Sequence, residues 1–570
     1  MLLNSLARFA ERSNLVEESS YQFAAVSWAV RLDLDGNYLE LNSMKEKNER
    51  KKEVGKQMQI PRQFKRSVNL LSQFMVDKAE YALGLADEEG PKTPQRHGLF
   101  IEEIRKCAEL TDSEEVKAML KFLGSERDKA LCKEELKQSG YISNDLICFQ
   151  VDGDNAQNLP DVRRYWKSKM ELPDGGVQAQ CSMCGNIRTI IRLHPNIKPL
   201  SGASSSGVPI VSFNKDAFCS YGLEGNNNGP VCETCAIGYA TAINRCLSDS
   251  YPNPQGGGAL PKQSFRLSDN LTAIYWSDSS EGKVEKAVRE LPINPELVKG
   301  MFETPFHRGS AANPGNFSCL LLQGAQGRAT VRGYHTQTIS EVFANLERWL
   351  AETETGLPKP LSLIQMLRSL AIKGEYGKLP PSLTEEIYLA ILFGYRLPIN
   401  VLQAAVSRNR VEARVSAERA ALLQAWLSRR NPPERKLYVA LDKECTIVPY
   451  RLGRALRICE QIQEDSAKPR KLNKTVVDRY FSALSTRPSA VFSSLMKLTE
   501  IHLSSLAKKN EGYWQRNRLA EILSGISPAD FGSQFDLTGQ AQFALGYYHQ
   551  RWTSAKKEAA AENQGDEQNA

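Results

Sequence analysis

The sequence predicts an α+β fold for the N-terminal and central regions, which carry a zinc-knuckle module, followed by an all-α helical bundle. Short β-prone runs bounded by Gly, Pro and Asn recur in the first part, whereas from about residue 339 apolar residues recur at spacings of three and four. Two Cys-x-x-Cys pairs lie in the β-prone part and are typical of a zinc site. The predicted domains are 1–142, 143–338 and 339–553, followed by a polar tail at 554–570.

The composition excludes several classes of protein. Of 570 residues, 41% are hydrophobic and 24% are charged, which is typical of a globular protein with about three or four domains. The sequence has no membrane-spanning apolar run, and residues 1–12 mix charged with apolar residues at helical spacing, which predicts a first helix and not a secretion signal. Most of the 12 cysteines are scattered, as in reducing compartments, so we expect a cytoplasmic protein with no membrane partner.

The first domain is predicted to contain a β-hairpin followed by a basic segment. Apolar and β-prone residues over 23–41 flank Asp35-Gly36, whose glycine tolerates the positive φ of a tight turn. The stretch 45–66 then contains nine Lys or Arg against three Glu, with few apolar residues to bury it. We expect an exposed or mobile basic segment, and a solvated surface loop is the plainer alternative.

Two Cys-x-x-Cys pairs in the central domain supply four thiols: Cys181, Cys184, Cys232 and Cys235. Four thiolates can close a tetrahedral Zn²⁺ site, which is structural because it leaves no open position for a substrate. The span between the pairs is rich in Gly, Ser and Asn, buries little apolar surface and would gain order from the metal. Reduced thiols without metal are the alternative, because the gap is long for a zinc ribbon; His194 or Cys219 could also replace one ligand. Three strands are predicted around this module, at 146–151, 271–276 and 317–322.

The last region is predicted to be helical. One stripe at spacings of four and three marks a single helix face: Val491, Leu495, Leu498, His502 and Leu506. Residues 408–436 hold eight Lys or Arg against three acids, and a solvated helix face is the plainer interpretation of that surplus. Two basic zones on one chain nevertheless favour a polyanionic partner.

Several common catalytic motifs do not occur in the sequence. The chain has no Gly-x-x-x-x-Gly-Lys-[Ser/Thr] loop, no His-Glu-x-x-His helix and no Gly-x-Ser-x-Gly elbow. Its six histidines are dispersed, and none is followed by Asp. These observations favour a binding protein over an enzyme.

Several motifs follow one another along residues 1–550 and resemble those of the large subunit of the type I-C CRISPR surveillance complex, Cascade. They are Arg66-Ser67 followed by Phe74, Asp77, Tyr81, Leu83 and Gly84; Leu193-His-Pro-Asn-Ile-Lys198 with Val211-Ser-Phe-Asn214 and Ser220-Tyr-Gly222; Leu452-Gly-Arg454; Val477-Asp-Arg-Tyr-Phe481; and Leu537-Thr-Gly-Gln-Ala-Gln-Phe-Ala-Leu-Gly-Tyr-Tyr-His-Gln550. The chain departs from the family at Ser72-Gln73, where Pro-Asn often precedes the Phe.

The resemblance implies a non-catalytic subunit that recognises the protospacer-adjacent motif in duplex DNA and promotes strand separation, while a guide RNA reads the sequence. It implies further partners: the 5′ region of the CRISPR RNA, the displaced non-target strand, the backbone subunits, a helical small subunit and a helicase-nuclease. Residues 400–550 resemble that small subunit. Members of this family often lack one or more of the four cysteines, so Zn²⁺ is expected to be a local structural clip in this chain.

A motif reader needs amide or guanidinium groups at base edges and Lys or Arg at phosphates. The motif-reading candidates are Arg62, Gln63, Lys65, Arg66, Asn69 and Gln73. The DNA-backbone candidates are Lys47, Arg50, Lys51, Lys52, Lys471, Lys474, Arg479, Arg487, Lys508, Lys509, Arg516 and Arg518.

Two other functions fit parts of the pattern. A zinc-dependent nucleic-acid enzyme would use the cysteine pairs and basic zones, but it needs an open metal position or a convergent acid and base. A zinc-ribbon scaffold of an RNA particle would bind RNA without preference for a short duplex motif.

Overall fold

The structure is a computed structural model that describes residues 2–15, 20–47, 53–63, 71–86, 90, 92–171, 177–253, 258–279, 281–303, 315–430, 440–531 and 534–567. The chain divides into an N-terminal unit, Met1–Pro199 with Ser205–Lys262, and a C-terminal unit, Leu200–Ser204 with Gln263–Ala570. The break near residue 262 lies inside the predicted 143–338 domain, and the three-domain division stays a prediction. Among the described residues, no helix combines the length and apolarity needed to cross a membrane.

The N-terminal unit combines helices with several small sheets. Its helices are α1 (Leu2–Arg12), α2 (Ala79–Ala82), α3 (Lys92–Thr111), α4 (Glu114–Gly124), α5 (Glu126–Gln138), α6 (Pro160–Glu171) and α7 (Glu233–Leu247). Its strands are β1 (Tyr21–Val26), β2 (Trp28–Leu32), β3 (Tyr38–Ser43), β4 (Lys45–Lys47), β5 (Glu53–Pro61), β6 (Asp77–Lys78), β7 (Leu146–Val151), β8 (Asp154–Asn155), β9 (Gln178–Gln180), β10 (Ile187–Thr189), β11 (Tyr251–Pro252) and β12 (Ala259–Leu260). A five-stranded sheet has the order β3-β2-β7-β6, with β8 paired to β7, and a second sheet has the order β1-β5-β4.

The predicted hairpin forms, but over fewer residues than expected. β2 and β3 pair antiparallel around a turn in which Gly36 has φ of +83°. Phe23 instead lies in β1, which pairs with β5. The strand predicted at 146–151 is β7, whose Phe149 is fully buried against Phe100 of α3. The positions of these strands were therefore predictable from the sequence, whereas the pairing of β1 with β5 was not.

The basic stretch that follows the hairpin is largely a pair of strands. β4 and β5 pair antiparallel, and β5 also pairs with β1. Met58 and Ile60 lie on alternate positions of β5, and Ile60 is fully buried, so this stretch carries a period-two apolar signal that its charge count hides. The segment was expected to be exposed or mobile: Glu53–Pro61 is a paired strand, and it is exposed at Glu53, Val54, Lys56 and Gln57 but buried at its end.

The C-terminal unit places helices around one antiparallel sheet. Its strands are β13 (Ser264–Arg266), β14 (Leu271–Ser277), β15 (Asn316–Ala325) and β16 (Arg328–Thr338), in that order across the sheet. Its helices are α8 (Lys283–Glu290), α9 (Pro295–Glu303), α10 (Ile339–Glu352), α11 (Leu363–Leu370), α12 (Pro381–Phe393), α13 (Ile399–Glu412), α14 (Ala417–Ser428), α15 (Val448–Ala467), α16 (Val476–Leu484), α17 (Pro488–Ala507), α18 (Tyr513–Leu523) and α19 (Leu537–Glu567). The strands predicted at 271 and 317 and the change to helix at 339 are confirmed.

Two glycines bring α15 and α19 into backbone contact. A Cβ added at Gly453 would lie 2.0 Å from the carbonyl oxygen of Phe543, and one added at Gly546 would lie 2.0 Å from that of Tyr450. A side chain at either position would force the helices apart. The motif residues around 453 and over 537–550 therefore build one packing interface.

Buried polar side chains fix the register of the same two helices. Arg454 is 1% exposed, and its Nε donates to Oε1 of Gln550 at 3.3 Å. The Tyr547 hydroxyl donates to Oε2 of Glu460 at 2.7 Å. Because buried polar groups are costly when unpaired, these bonds disfavour any slip of one helix along the other.

Candidate metal centre and nucleic-acid interface

Four thiols meet in the N-terminal unit, and we call them the metal centre: Cys181, Cys184, Cys232 and Cys235. Their Sγ atoms all lie within 4.8 Å of one another, and those of Cys184 and Cys232 are 3.9 Å apart. All four are free thiols. Tetrahedral Zn–S bonds of about 2.3 Å place ligand sulfurs about 3.8 Å apart. The four predicted ligands therefore lie close enough together to hold a metal ion, and one sulfur pair is already at nearly the zinc-site separation.

A strand pair and a helix position these thiols. The first Cys-x-x-Cys pair spans the turn between β9 and β10, where Gly185 has φ of +75°. Cys232 is the residue that precedes α7, so Cys235 falls in the first turn of that helix. Ile190, just after β10, forms a β-bridge with Cys232. This bridge closes the long span between the two pairs.

Backbone amides favour one thiolate in the metal centre. The N–H groups of Cys232 and Met183 donate to Sγ of Cys181 at 3.3 and 3.4 Å. Burial acts to raise the pKa of Cys181, but these N–H donors outweigh it and lower the pKa to about 6. Burial first, and then the hydrogen bond with Cys232 and its charge, raise the pKa of Cys235. Four thiolates in one cluster would need a cation between them, and a metal ion such as Zn²⁺ would supply that charge.

The two alternative ligands lie apart from the metal centre. His194 is 3% exposed, and its Nδ1 lies 2.6 Å from the hydroxyl of Tyr239 on α7. Burial lowers the pKa of His194 to about 4, so it is neutral near pH 7. The Cys219 thiol donates to the carbonyl oxygen of Lys215 at 3.7 Å. Among the described residues, the ligand cluster contains neither side chain.

One ion pair links the metal centre to the motif-reading candidates. Glu233 lies between the two cysteines of the second pair, and its Oε1 accepts from NH1 of Arg62 at 2.9 Å. The two side chains are 35% and 15% exposed. Arg62 directly follows β5, and its N–H donates to the carbonyl oxygen of Ser20 at 2.9 Å. Sequence reasoning missed Glu233 because 171 positions separate the partners.

The structure describes part of the motif-reading set. Gln63 is half-buried, and its Nε2 donates to the carbonyl oxygen of Val76 at 3.3 Å. Gln73 is 4% exposed, and its backbone N–H donates to Oδ2 of Asp77 at 2.9 Å. The side chain of Gln73 is therefore buried within the unit. A contact between this side chain and a DNA base would require the side chain to move outward. Three candidates lie outside the described residues: Lys65, Arg66 and Asn69.

The DNA-backbone candidates fall into three groups. Lys47 ends β4 with its side chain outside the described part of the chain, and three more candidates lie outside it entirely: Arg50, Lys51 and Lys52. Six C-terminal candidates are exposed: Lys471, Lys474, Arg479, Arg487, Lys508 and Lys509. Arg516 pairs with Glu500 at 2.7 Å, and Arg518, whose side chain is 14% exposed, pairs with Glu521 at 2.7 Å. The last two are therefore partly neutralised by their own surface.

A further charged feature of the C-terminal unit was missed by sequence reasoning. An open cleft of about 500 Å³ lies where residues of α11, α13 and α14 meet, and we call it the cationic cleft. Its charged lining residues are Arg368, Lys373, Arg408, Arg414, Arg419, Glu412 and Glu418. The basic surplus over 408–436 was the available signal, but it was interpreted as a solvated face. Arg368 and Lys373 come from an earlier part of the chain that sequence reasoning did not single out.

Comparison with known proteins gives one finding across nearly the whole chain. The model of a family described as CRISPR-associated protein (Cas_Csd1) matches residues 3–554. No curated protein matches the chain. The matched residues include the metal centre, the cationic cleft and the α15–α19 interface.

Proposed function

The chain belongs to the CRISPR-associated Cas_Csd1 family, and from that membership we propose that it is the large subunit of a type I-C Cascade. In this proposal it recognises the protospacer-adjacent motif in duplex DNA, promotes R-loop formation and helps to recruit a separate helicase-nuclease. It contacts the 5′ region of the CRISPR RNA, the backbone subunits and a helical small subunit in the cytoplasm. The observation that carries the proposal is the family match over residues 3–554.

The charge distribution of each unit supports a nucleic-acid partner. The C-terminal unit exposes cations such as Lys471, Lys474 and Lys508, which can contact the phosphates of the displaced strand. In the N-terminal unit, Arg62 leads from β5 into the stretch that contains Lys65 and Arg66. Guanidinium groups in that stretch can read guanine edges in the major groove.

The proposed role of Zn²⁺ is to hold the flank of this motif-reading stretch. The four cysteines would hold the ion, and α7 begins at their second pair. Glu233, in the first turn of α7, holds the Arg62 guanidinium. A loaded metal centre therefore fixes the point from which the motif-reading stretch departs.

The alternative of a zinc-dependent enzyme has less support. Four cysteine ligands fill a tetrahedral Zn²⁺ shell and leave no position for water or substrate. We therefore propose a non-catalytic subunit. An RNA-particle scaffold remains an alternative outcome of the experiment below.

The test is binding of the complex, assembled with guide RNA and backbone subunits, to duplexes that differ only in the flanking motif. We expect Arg66→Ala to erase the preference between flanks while salt-dependent binding persists, because base contacts specify and phosphate contacts do not. Lys56→Ala is the matched control, since Lys56 is an exposed cation on β5 outside the motif-reading set. A wild-type complex that binds RNA but never discriminates between flanks contradicts the proposal and favours the scaffold.

A further inference from the structure

We propose that the cationic cleft binds the phosphodiester backbone of a single-stranded nucleic acid. The proposal rests on the proposed function, in that the chain works on nucleic acid. Its residues are nevertheless distinct from the motif-reading candidates and from the predicted DNA-backbone contacts. The cleft would therefore be an additional strand-binding site on the C-terminal unit.

The first argument is charge balance within the cleft. Five cations and two carboxylates line it, which leaves a surplus of positive charge. One carboxylate, Glu412, is shared by two guanidinium groups, those of Arg408 and Arg419. Burial acts to raise the pKa of Glu412, but the bond to Arg419 and the nearby guanidinium charges lower it, so this carboxylate is ionised and already engaged. It therefore cannot neutralise the remaining cations.

The second argument is that the inner wall of the cleft is preorganised. Arg419 is 3% exposed, and its side chain is held at 2.5 Å from Oε2 of Glu412 and at 3.3 Å from the carbonyl oxygen of Arg414. Its Nε has no acceptor within the described part of the chain. A buried guanidinium with a donor to spare favours an anion beside it. Ser416, which also lines the cleft, precedes α14, so the positive end of that helix dipole lies at the same place.

The third argument concerns the outer wall, which is made of exposed cations. Arg368, Lys373 and Arg414 all have exposed side chains. Lys373 has φ of +54° and precedes Gly374 with φ of +74°, a turn that carries Lys373 past the end of α11. These long side chains can meet phosphate oxygens without disturbing the core.

The shape of the cleft favours a strand over a small anion. A second hollow of about 250 Å³ shares Arg368 and Gly374 with the cationic cleft and adds Arg266 and Tyr376. Two carboxylates, Asp269 and Glu375, also line the second hollow, and Asp269 pairs with Arg266 at 2.8 Å. The two hollows therefore adjoin at Arg368, and the surplus of positive charge lies in the cationic cleft. A closed cavity would suit one free phosphate, whereas two adjoining open hollows suit successive phosphates, and the half-buried Tyr376 lines the second hollow, where a base could reach it.

The experiment measures anisotropy of a fluorescent single-stranded DNA bound by the full-length chain over a series of salt concentrations. The test variant reverses the three outer cations together: Arg368→Glu, Lys373→Glu and Arg414→Glu. The charge-matched control reverses three exposed cations elsewhere in the same unit: Lys286→Glu, Lys299→Glu and Arg396→Glu. Three lost phosphate contacts should flatten the slope of log K against log salt by about 2 and weaken binding about tenfold or more, while the control stays near wild type.

A second measurement does not depend on the folding of the triple variant. A strand that contains 5-iodouracil should cross-link to Tyr376 on irradiation, and Tyr376→Ala should abolish that adduct. An unchanged salt slope, no adduct at Tyr376, or displacement of the strand by pyrophosphate at constant ionic strength would each overturn the proposal.

The two proposals fail in distinguishable ways. If the assembled complex discriminates between duplex flanks but the cleft variant binds strands like wild type, the cleft proposal fails and the proposed function stands. If cleft-dependent strand binding is present but flank discrimination is absent, the proposed function fails and the cleft proposal stands.

Discussion

The metal centre and the α15–α19 interface both join distant parts of the chain, but they do so in opposite ways. The metal centre gathers four thiols at the edge of a loop-rich span, and one of them, Cys184, is exposed. The α15–α19 interface joins two helices by backbone contact at Gly453 and Gly546 within the buried core of the C-terminal unit. The first would be held by an added cation, whereas the second is held by close backbone packing and by buried hydrogen bonds such as that between Tyr547 and Glu460.

The loop-rich span between the two cysteine pairs is where a bound cation would matter most. Tyr221 within it is fully exposed, and Asn228 links the loop by accepting from the Ser220 N–H and donating to the carbonyl oxygens of Leu223 and Gly225. Local side-chain bonds of this kind contribute about 1 kcal/mol each. The span buries some aliphatic side chains, such as Ile197 and Val208, but they lie outside the large core cluster that contains α15 and α19, so we expect the two regions to respond differently to the same treatments.

Loss of the metal should have the largest effect, and only in one of the two regions. We expect Cys232→Ser or strong chelation to release one Zn²⁺ per chain and to increase amide hydrogen exchange in the span between the two cysteine pairs. Structural zinc contributes about 10 kcal/mol to the smallest zinc domains, so local order should fall sharply. Elemental analysis and hydrogen exchange measure both effects.

The matched control for this prediction is Cys219→Ser. Cys219 lies in the same span but is outside the ligand cluster formed by the described residues. It should keep its zinc and its exchange pattern. Equal loss of metal from both variants, or increased exchange in α15 and α19, would contradict the comparison.

Substitution at the interface glycines should have the next largest effect. Gly453→Ala places a methyl group 2.0 Å from a carbonyl oxygen, so α15 and α19 must separate, and we expect a loss of about 3 kcal/mol in the free energy of unfolding. Urea denaturation followed by tryptophan fluorescence measures this change. Gly546→Ala should behave in the same way.

Gly300→Ala is the control for the helical glycine effect. Gly300 lies in α9, and a Cβ there would meet no atom within 4 Å. Alanine should stabilise that helix slightly, by about 0.5–1 kcal/mol. If all three alanine variants changed stability alike, backbone contact would not be what holds α15 to α19.

The same contrast explains what the sequence could predict. The Cys-x-x-Cys spacing predicted all four clustered thiols, because metal ligation uses few residue types at short spacings. The periodicity of apolar residues predicted β7, β14, β15 and the first helix after residue 338. Long-range partners left no such signal. Nothing near Arg62 indicated Glu233, and nothing near Arg368 indicated the guanidinium groups from α13 and α14 that complete the cationic cleft.

Acid should destabilise the region around α7 through His194. The unfolded side chain has a pKa of about 6.5, whereas burial lowers the folded pKa to about 4. Between these values the unfolded chain binds a proton that the folded chain does not, so stability falls as the pH falls through that window. We expect a loss on the order of 2 kcal/mol by pH 4, measured by hydrogen exchange in α7. His194→Phe should show a smaller slope with pH than wild type; equal slopes would exclude this histidine as the cause.

The smallest expected effect on stability comes from Glu233→Gln, which tests whether the metal centre acts on the motif-reading stretch. The variant removes one charge from a partly exposed pair, so unfolding free energy should fall by only about 1 kcal/mol. Zinc content should not change, because glutamine leaves all four thiols in place. Arg62 loses the carboxylate that holds it, so we expect preference between duplex flanks to weaken while the salt dependence of binding stays constant.

Glu224→Gln is the matched control, because it changes an exposed carboxylate in the same loop-rich span. It should leave both flank preference and zinc content at wild-type values. If Glu233→Gln leaves flank preference intact, the metal centre stabilises only the span between its cysteine pairs. The metal centre and the α15–α19 interface would then differ in how they stabilise the fold, and not in any effect on DNA recognition.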